Sequence, residues 1–503
     1  MKNKRFLAPL LIASICTLAS CSASDLMSWK KNSGSDQKQN EGSTDIDFTV
    51  PTFEKSAGIR FTAYSGPTFA HLAAGNTNIN TVTDEHVRKV SEAGFNRILA
   101  LYEGGGGGGG SDVWKVIKNR AKRANDDAMT MLPLCEKYGL EYYVRDWSFY
   151  GLLTNYPGQV TTEEDYKKAI DIIFDDDCEY IYHPAYCGSF GTDEPFYNDL
   201  EKVEWQVRLY NEALARKGLK GEALVNLLPM HVSTTGLGST YAEYVDKYFE
   251  LVAPLLGYVS YDFYPLKSNF FAGGYVRNDY LGNVLLMAKK CKENNIELRT
   301  FMQSIGNWTG MRPMESIGDF RFQIYTNLAF GSKEITYYEY GNPYSYESGD
   351  YALLNLEDGS YNWTYEAAKK ANIEAHGMED AYLQYNWDGV MYKNGDEEEQ
   401  NVCFTYLEND AYKTHPRVGF KKVSEDTLLT TFKHKETKDD AFMLVNWSNP
   451  YDKKNSEVTL NFKDAKGLLM YRLGQKVIVK LPKSGDYTFK LYPGEGRFII
   501  PLK

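Results

Sequence analysis

Past its N-terminal end the chain has no apolar run near the roughly 20 residues that a membrane-spanning helix needs, so its main body is expected to stay in water. It also lacks clustered cations. Lys and Arg number 56 against 67 Asp and Glu, a formal net charge of −11. Without a basic patch there is nothing to meet a phosphate backbone, which argues against nucleic acid as a partner. Cysteine is sparse: Cys16 and Cys21 lie near the start, and Cys135, Cys178, Cys187, Cys291 and Cys403 are scattered with no CxxC pair. Neither a zinc site nor a disulfide framework is signalled, and if one disulfide exists the spacing does not choose it. The seven histidines show no HExxH or HxH spacing. Asp175-Asp176-Asp177 lacks the EF-hand pattern and reads as a solvated turn. No metal and no organic cofactor is called for.

What is present starts with Lys2, Lys4 and Arg5, then an apolar stretch from Phe6 to Thr17 and the sequence Leu18-Ala19-Ser20-Cys21. A basic start followed by a short apolar core is a secretory leader. Its end resembles the bacterial lipobox, in which the Cys becomes the lipidated first residue. The expectation is a signal peptide over 1–20, lipidation at Cys21, and an exported protein held to a membrane by that anchor; the alternative is an ordinary leader cut near Ala23. Residues 22–57 are rich in Ser, Lys, Asn, Gln and Asp. They offer too little apolar surface to offset chain entropy, and 21–57 reads as a flexible tether.

Eight short apolar runs follow, starting at Ile59, Phe95, Leu140, Cys187, Ala223, Tyr258, Leu298 and Ile335, roughly 40 residues apart. They are continuous rather than alternating, as in parallel strands buried on both faces. Helical patterns lie between them. Thr161 with Glu164 suggests a capping box, and Thr83 a cap for a helix that stops at Gly94. Helices also fit Leu200–Lys217, Tyr241–Leu255 and Asn283–Asn294. The alternation predicts a (β/α)8 TIM barrel over 58–386, closed by a helix around Glu366–Tyr385. Gly104–Gly110, seven glycines in a row, is no phosphate loop, since no GK[ST] and no evident helix start follow. From about Asp388 the runs become short, β-branched or aromatic: Val402–Leu407, Leu428–Phe432, Ala441–Asn446, Val458–Phe462, Leu468–Tyr471, Val477–Val479, Tyr487–Leu491 and Arg497–Ile500. Turn residues separate many of them, which predicts an all-β sandwich over 387–503.

The stretch richest in chemistry is Gly191-Thr192-Asp193-Glu194-Pro195. A carboxylate pair stands where the fourth strand must end, because Pro195 cannot continue the ladder. Barrels carry their reacting groups at that end of the strands. Reading the other strand ends adds Glu103, Asp146 with Trp147, Asn226, Asp262 with Tyr264, Gln303 and Glu339. A buried acid without a partner or a task is costly, so acids recurring at these ends point to a site. Glu194 is the candidate general acid, raised by burial, with Glu339 or Asp262 as its partner carboxylate. Asp193 reads as an orienting acid. Tyr264, Trp147, Trp308, Asn226 and Gln303 are candidates to hold a sugar ring, and Glu103 and Asp146 to accept its hydroxyls or to pair with arginines. Aromatics make up 14% of the chain, and aromatic faces suit sugar rings.

This layout resembles the bacterial (β/α)8 glycoside hydrolases of the large retaining superfamily, including family 42 β-galactosidase-like members. Asp193-Glu194-Pro195 matches their strand-four acid/base context, and Leu491-Tyr492-Pro493-Gly494-Glu495-Gly496 is similar to the closing turn of their C-terminal sandwich. The resemblance implies a carbohydrate substrate and an exported hydrolase acting on a poly- or oligosaccharide. It also implies a nucleophile Glu at the end of strand seven, where this chain has Gln303, and an amide cannot serve as a carboxylate nucleophile. Three readings stay open: a second carboxylate from another strand, an inverting arrangement, or a non-catalytic glycan-binding lipoprotein on a degenerate barrel.

Overall fold

The computed structural model describes residues 48–503 apart from 72–78, 100–102, 106–109, 157, 269–275, 307–309, 343–351 and 396–400. Cys21 and Trp308 therefore lie outside the described residues. Eight parallel strands close into a barrel in chain order: β1 Arg60–Tyr64, β2 Arg97–Leu99, β3 Glu141–Val144, β4 Tyr186–Asp193, β5 Glu222–Leu227, β6 Tyr258–Tyr261, β7 Glu297–Gln303 and β8 Glu334–Tyr338. A principal helix follows each strand: α1 Asp84–Glu92, α2 Val113–Lys137, α3 Glu163–Ile173, α4 Leu200–Arg216, α5 Tyr241–Leu251, α6 Tyr280–Asn294, α7 Ile317–Ala329 and α8 Trp363–His376. Each of the eight expected runs begins within two residues of an observed strand.

The caps explain where helices begin. Thr83 accepts the His86 N–H. The capping box of α3 sits one residue later than expected, on Thr162 and Asp165. A helix does follow the glycine run: Asp112 caps α2 by accepting the Trp114 and Lys115 N–H groups. Helix α7 gave no amphipathic signal because both its faces are covered. The barrel lies on one side and the second domain on the other, and Gly318 through Ala329 are all buried. Its polar side chains find partners inside: Arg321 pairs with Glu374, and Thr326 Oγ1 accepts from Trp447 Nε1 at 3.2 Å.

The second domain holds nine antiparallel strands: β9 Tyr385–Lys393, β10 Val418–Val423, β11 Thr427–His434, β12 Asp440–Asn446, β13 Ser456–Phe462, β14 Gly467–Arg472, β15 Gln475–Lys480, β16 Asp486–Leu491 and β17 Gly496–Leu502. They form a six-stranded sheet in the order β9-β11-β12-β17-β14-β15 and a three-stranded sheet in the order β10-β13-β16. Leu429, Phe442, Leu444, Leu460, Phe462 and Phe489 share the core cluster that fills this domain. Val402–Leu407, expected as a strand, is a 3-10 helix packed against α6. Its apolar residues meet a helix rather than a sheet partner. Phe48–Lys503 forms one compact unit, which takes in residues 48–57 of the expected tether. Phe48, Val50 and Phe53 pack on the main core, and the Ser56 N–H donates to Asp380 at 2.7 Å. The five described cysteines are free thiols, and no described helix is long and apolar enough to cross a membrane.

Candidate active site

The barrel interior is layered. At the N-terminal ends of the strands, Arg97 and Arg299 bridge the carboxylates of Glu222 and Glu334. Arg60 joins through Glu334 and Glu297. Burial disfavours the charge on Glu334, but Arg97, Arg299 and Arg60 overcome it and hold that carboxyl far below the usual range. Above this network Tyr64, Leu99, Tyr143, Phe190, Leu224, Tyr258 and Phe301 form an apolar plug. This plug separates the charged base of the barrel from its C-terminal mouth.

There the structure brings Asp193, Glu194, Asn226, Asp262 and Tyr264 together. Glu194 follows the last residue of β4 with φ of +50°, a left-handed turn before Pro195. Its N–H donates to the Asn226 carbonyl at 2.8 Å. This kink lifts its side chain to the open rim. Asn226 is buried at the end of β5 and acts as a clamp. Its Nδ2 donates to Asp193 at 3.3 Å and to Asp262 at 3.4 Å, while its Oδ1 accepts from Ser260 at 3.0 Å. Asp262 is buried, and its carboxyl and that of Glu194 lie close enough to shift each other's ionisation. Two neighbouring carboxyls cannot both ionise cheaply. Burial and the Asp193 charge push Glu194 up to about 7. Burial and the charges of Glu194 and Asp193 push Asp262 well above the usual range. The pair therefore keeps a proton through neutral pH, as a dyad rather than as two independent acids. The Tyr264 hydroxyl feels all three carboxylates, and its ring packs on Tyr338 with centroids 5.1 Å apart.

Arg145, just beyond the end of β3, is a buried cation in this layer. Its guanidinium lies 3.8 Å from Asp193, donates to the Tyr64 hydroxyl at 2.7 Å, and sits over the rings of Tyr150 and Phe190. It was legible in the sequence as a lone cation closing the apolar run Tyr142-Tyr143-Val144. Glu339 is buried at the end of β8, near Ser65 and Arg145 rather than against Glu194. Burial pushes it up to about 8, with Ser65 and Arg145 opposing. It keeps its proton at neutral pH, as Asp262 does.

Three residues expected to hold substrate are committed elsewhere. Gln303 is fully buried. Its Oε1 accepts from Leu266 N at 2.8 Å and its Nε2 donates to the carbonyls of Arg312 and Ile305 at 3.2 and 3.4 Å, so it clamps the loops after β6 and β7. Glu103 is buried and accepts from the Tyr142 hydroxyl and the Arg145 N–H. Asp146 is buried, capping the short helix Trp147–Tyr150 through Ser148 and accepting from Tyr180. Trp147 is half-buried and stacks on Tyr150 at 5.8 Å. Asp175 forms a turn by accepting the Asp177 N–H. Among the described residues no group of three or more His, Cys, Asp or Glu side chains is placed to hold a metal ion.

No family model and no curated protein matches this chain. Solved structures do resemble it. A GH42 β-galactosidase from G. stearothermophilus aligns with a TM-score of 0.55 and 9% identity, over 89% of this chain and 99% of that one. A catalytic mutant of that enzyme aligns with a TM-score of 0.51 and 9% identity, over 90% and 99%. The β-galactosidase from the psychrophilic Marinomonas ef1 aligns with a TM-score of 0.45 and 11% identity over 63% of this chain; the match spans 60% of the length of that relative. At these identities the likeness establishes the barrel-plus-sandwich fold and leaves the chemistry to be argued from the site.

Proposed function

We propose that this protein is a glycoside hydrolase that cleaves O-glycosidic bonds of a poly- or oligosaccharide, and that it is exported and lipid-anchored through Cys21. The observation that carries the reading is the cluster of Asp193, Glu194 and Asp262, joined through Asn226, at the rim of a closed parallel barrel. Glu194, the more accessible member, donates its proton to the leaving glycosidic oxygen as the C–O bond breaks. The charge left on Glu194 is steadied by Asp262, which keeps its own proton, and together with Asp193 it stabilises the developing oxocarbenium ion. Asn226 holds Asp193 and Asp262 in register, Arg145 balances their charge, and Tyr264 with Tyr338 offers an aromatic wall for a sugar ring. Cys21 heads a lipobox-like sequence, which supports the anchor.

The test is release of reducing sugar from a glycan panel by the wild type and Glu194→Gln, with binding followed in parallel. Turnover lost by at least ~100-fold with binding kept is the expected result. Wild-type turnover should fall as pH rises through about 7, where Glu194 loses its proton. Asp193→Asn removes a charge that raises Glu194 and should move that limb to lower pH. Gln303 favours a second reading, a glycan-binding protein without turnover, because strand seven presents a committed amide. Binding without turnover in either protein would select it and end the hydrolase proposal.

A further inference from the structure

The face of the sandwich least like the rest of the molecule is the flank where its two sheets part. There β9, the edge of the six-stranded sheet, and β10, the edge of the three-stranded sheet, are bridged by the segment 412–415. A groove of about 400 Å³ runs between them, within the size range of small-ligand sites. Its lining carries Lys393, Lys413, Lys421, Lys422 and Lys463 together with His415, and no Asp or Glu. In a chain of net charge −11 this inverts the local sign. Lys393, Lys421, Lys422 and Lys463 are exposed, and none has a carboxylate within ion-pair distance among the described residues. The adjoining cavity, which shares Lys463, shows the contrast. Three of its cations are already neutralised, Lys433 by Asp440, Lys503 by Asp439 and Arg417 by Asp464.

Lysines on edge strands also deter sheet-to-sheet pairing. That accounts for Lys393, Lys421 and Lys422, but not for Lys413 and Lys463, which lie outside the edge strands and converge on the same groove. The groove has an aromatic wall as well. Tyr412 is exposed, and its ring lies against Gly389 so closely that a Cβ there would stand 2.4 Å from it. A bare backbone position is thus used to seat that ring. Tyr392 lines the same cavity and packs on Phe404 with centroids 4.7 Å apart. Unpaired cations around an aromatic platform, in a groove the size of one or two sugar rings, suit a ligand that is both a saccharide and an anion. A duplex or a membrane surface would call for a broad basic face, and the paired cations next door do not extend one.

We infer that this flank of the sandwich binds an acidic oligosaccharide, one bearing carboxylate or sulfate groups, at a site separate from the barrel mouth. The inference stands independently of catalysis at Glu194. Titration calorimetry on the full chain would use an oligogalacturonate tetrasaccharide, a chondroitin sulfate tetrasaccharide, neutral cellotetraose and a short single-stranded DNA. Binding of at least one acidic saccharide is expected, weakening as salt is raised, with cellotetraose at least tenfold weaker at this site. The choice between the two acidic probes assigns carboxylate or sulfate. K421E/K422E, both exposed and therefore compatible with folding, should weaken that binding at least tenfold, and so should Tyr412→Ala, while Glu194→Gln leaves it unchanged. Thermal melting of each variant checks that the fold is retained. Failure to bind either acidic saccharide, unchanged binding in K421E/K422E, or tighter binding of the DNA would overturn the assignment.

Discussion

Glu339→Gln tests by a stability measurement alone whether Glu339 is held neutral in the folded protein. The Glu339 carboxyl is only 4% exposed, and burial moves it from 4.5 to about 8. Between those values the native state keeps a proton that the unfolded chain has lost. More protons bound in the native state means that stability falls as pH rises. The gap of about 3.5 units, at ~1.4 kcal/mol each, amounts to about 5 kcal/mol. That loss is absent below pH 4.5 and complete above about 8. Glutamine fills the same space and stays neutral throughout, so the variant should escape it. Urea unfolding of both proteins at pH 5 and pH 9 gives a difference of differences in which other titrating groups cancel. The variant should gain about 4 kcal/mol relative to wild type over that interval, approaching 5 at higher pH. Identical pH slopes would show that Glu339 is ionised throughout. That result would refute the neutral assignment and return Glu339 to contention as the partner carboxylate.

Gln303→Glu should not restore a strand-seven nucleophile. It replaces an amide that donates to two buried carbonyls with a group that cannot, and it is expected to cost about 2–4 kcal/mol in urea unfolding with no gain in turnover. A stable and more active variant would contradict the structural role given to Gln303. Glu334→Gln at the base of the barrel leaves Arg60, Arg97 and Arg299 short of their shared counter-charge, and should destabilise by about 3–5 kcal/mol at pH 7. Because Glu334 is held below its unfolded value, the deficit should shrink as pH falls through the unfolded carboxylate range. Trp447→Ala removes a buried ring between the sandwich and α7 along with its bond to Thr326, at about 3–5 kcal/mol. Calorimetry should show the unfolding transition moving to lower temperature.

Much of the architecture was legible because it rests on local chemistry. The strands stand out as continuous apolar runs, since parallel strands are buried on both faces, and Thr83 marks a helix start through its own hydroxyl. Pro195 stops β4 by lacking an N–H, which places Asp193 and Glu194 at a strand end before any coordinates are consulted. Other features depend on partners far away in sequence. Helix α7 hides its period because sandwich and barrel cover it from opposite sides, and Val402–Leu407 coils because its neighbour is α6.

Residue type and position along a strand could nominate Glu103, Asp146, Asp262, Gln303 and Glu339 alike as mouth-facing groups. Only closure of the barrel sorted them. Contacts to the neighbouring strand and loops commit Glu103 and Gln303 to the framework, a cap on Ser148 with Tyr180 behind it commits Asp146, and closure puts Asp262 near Glu194 and Glu339 beside Ser65 and Arg145. The physical reason is range. A cap or a strand end is fixed by the few residues around it, whereas the ionisation of a carboxyl is set by groups within a few ångströms in space, which here come from strands more than 30 residues apart.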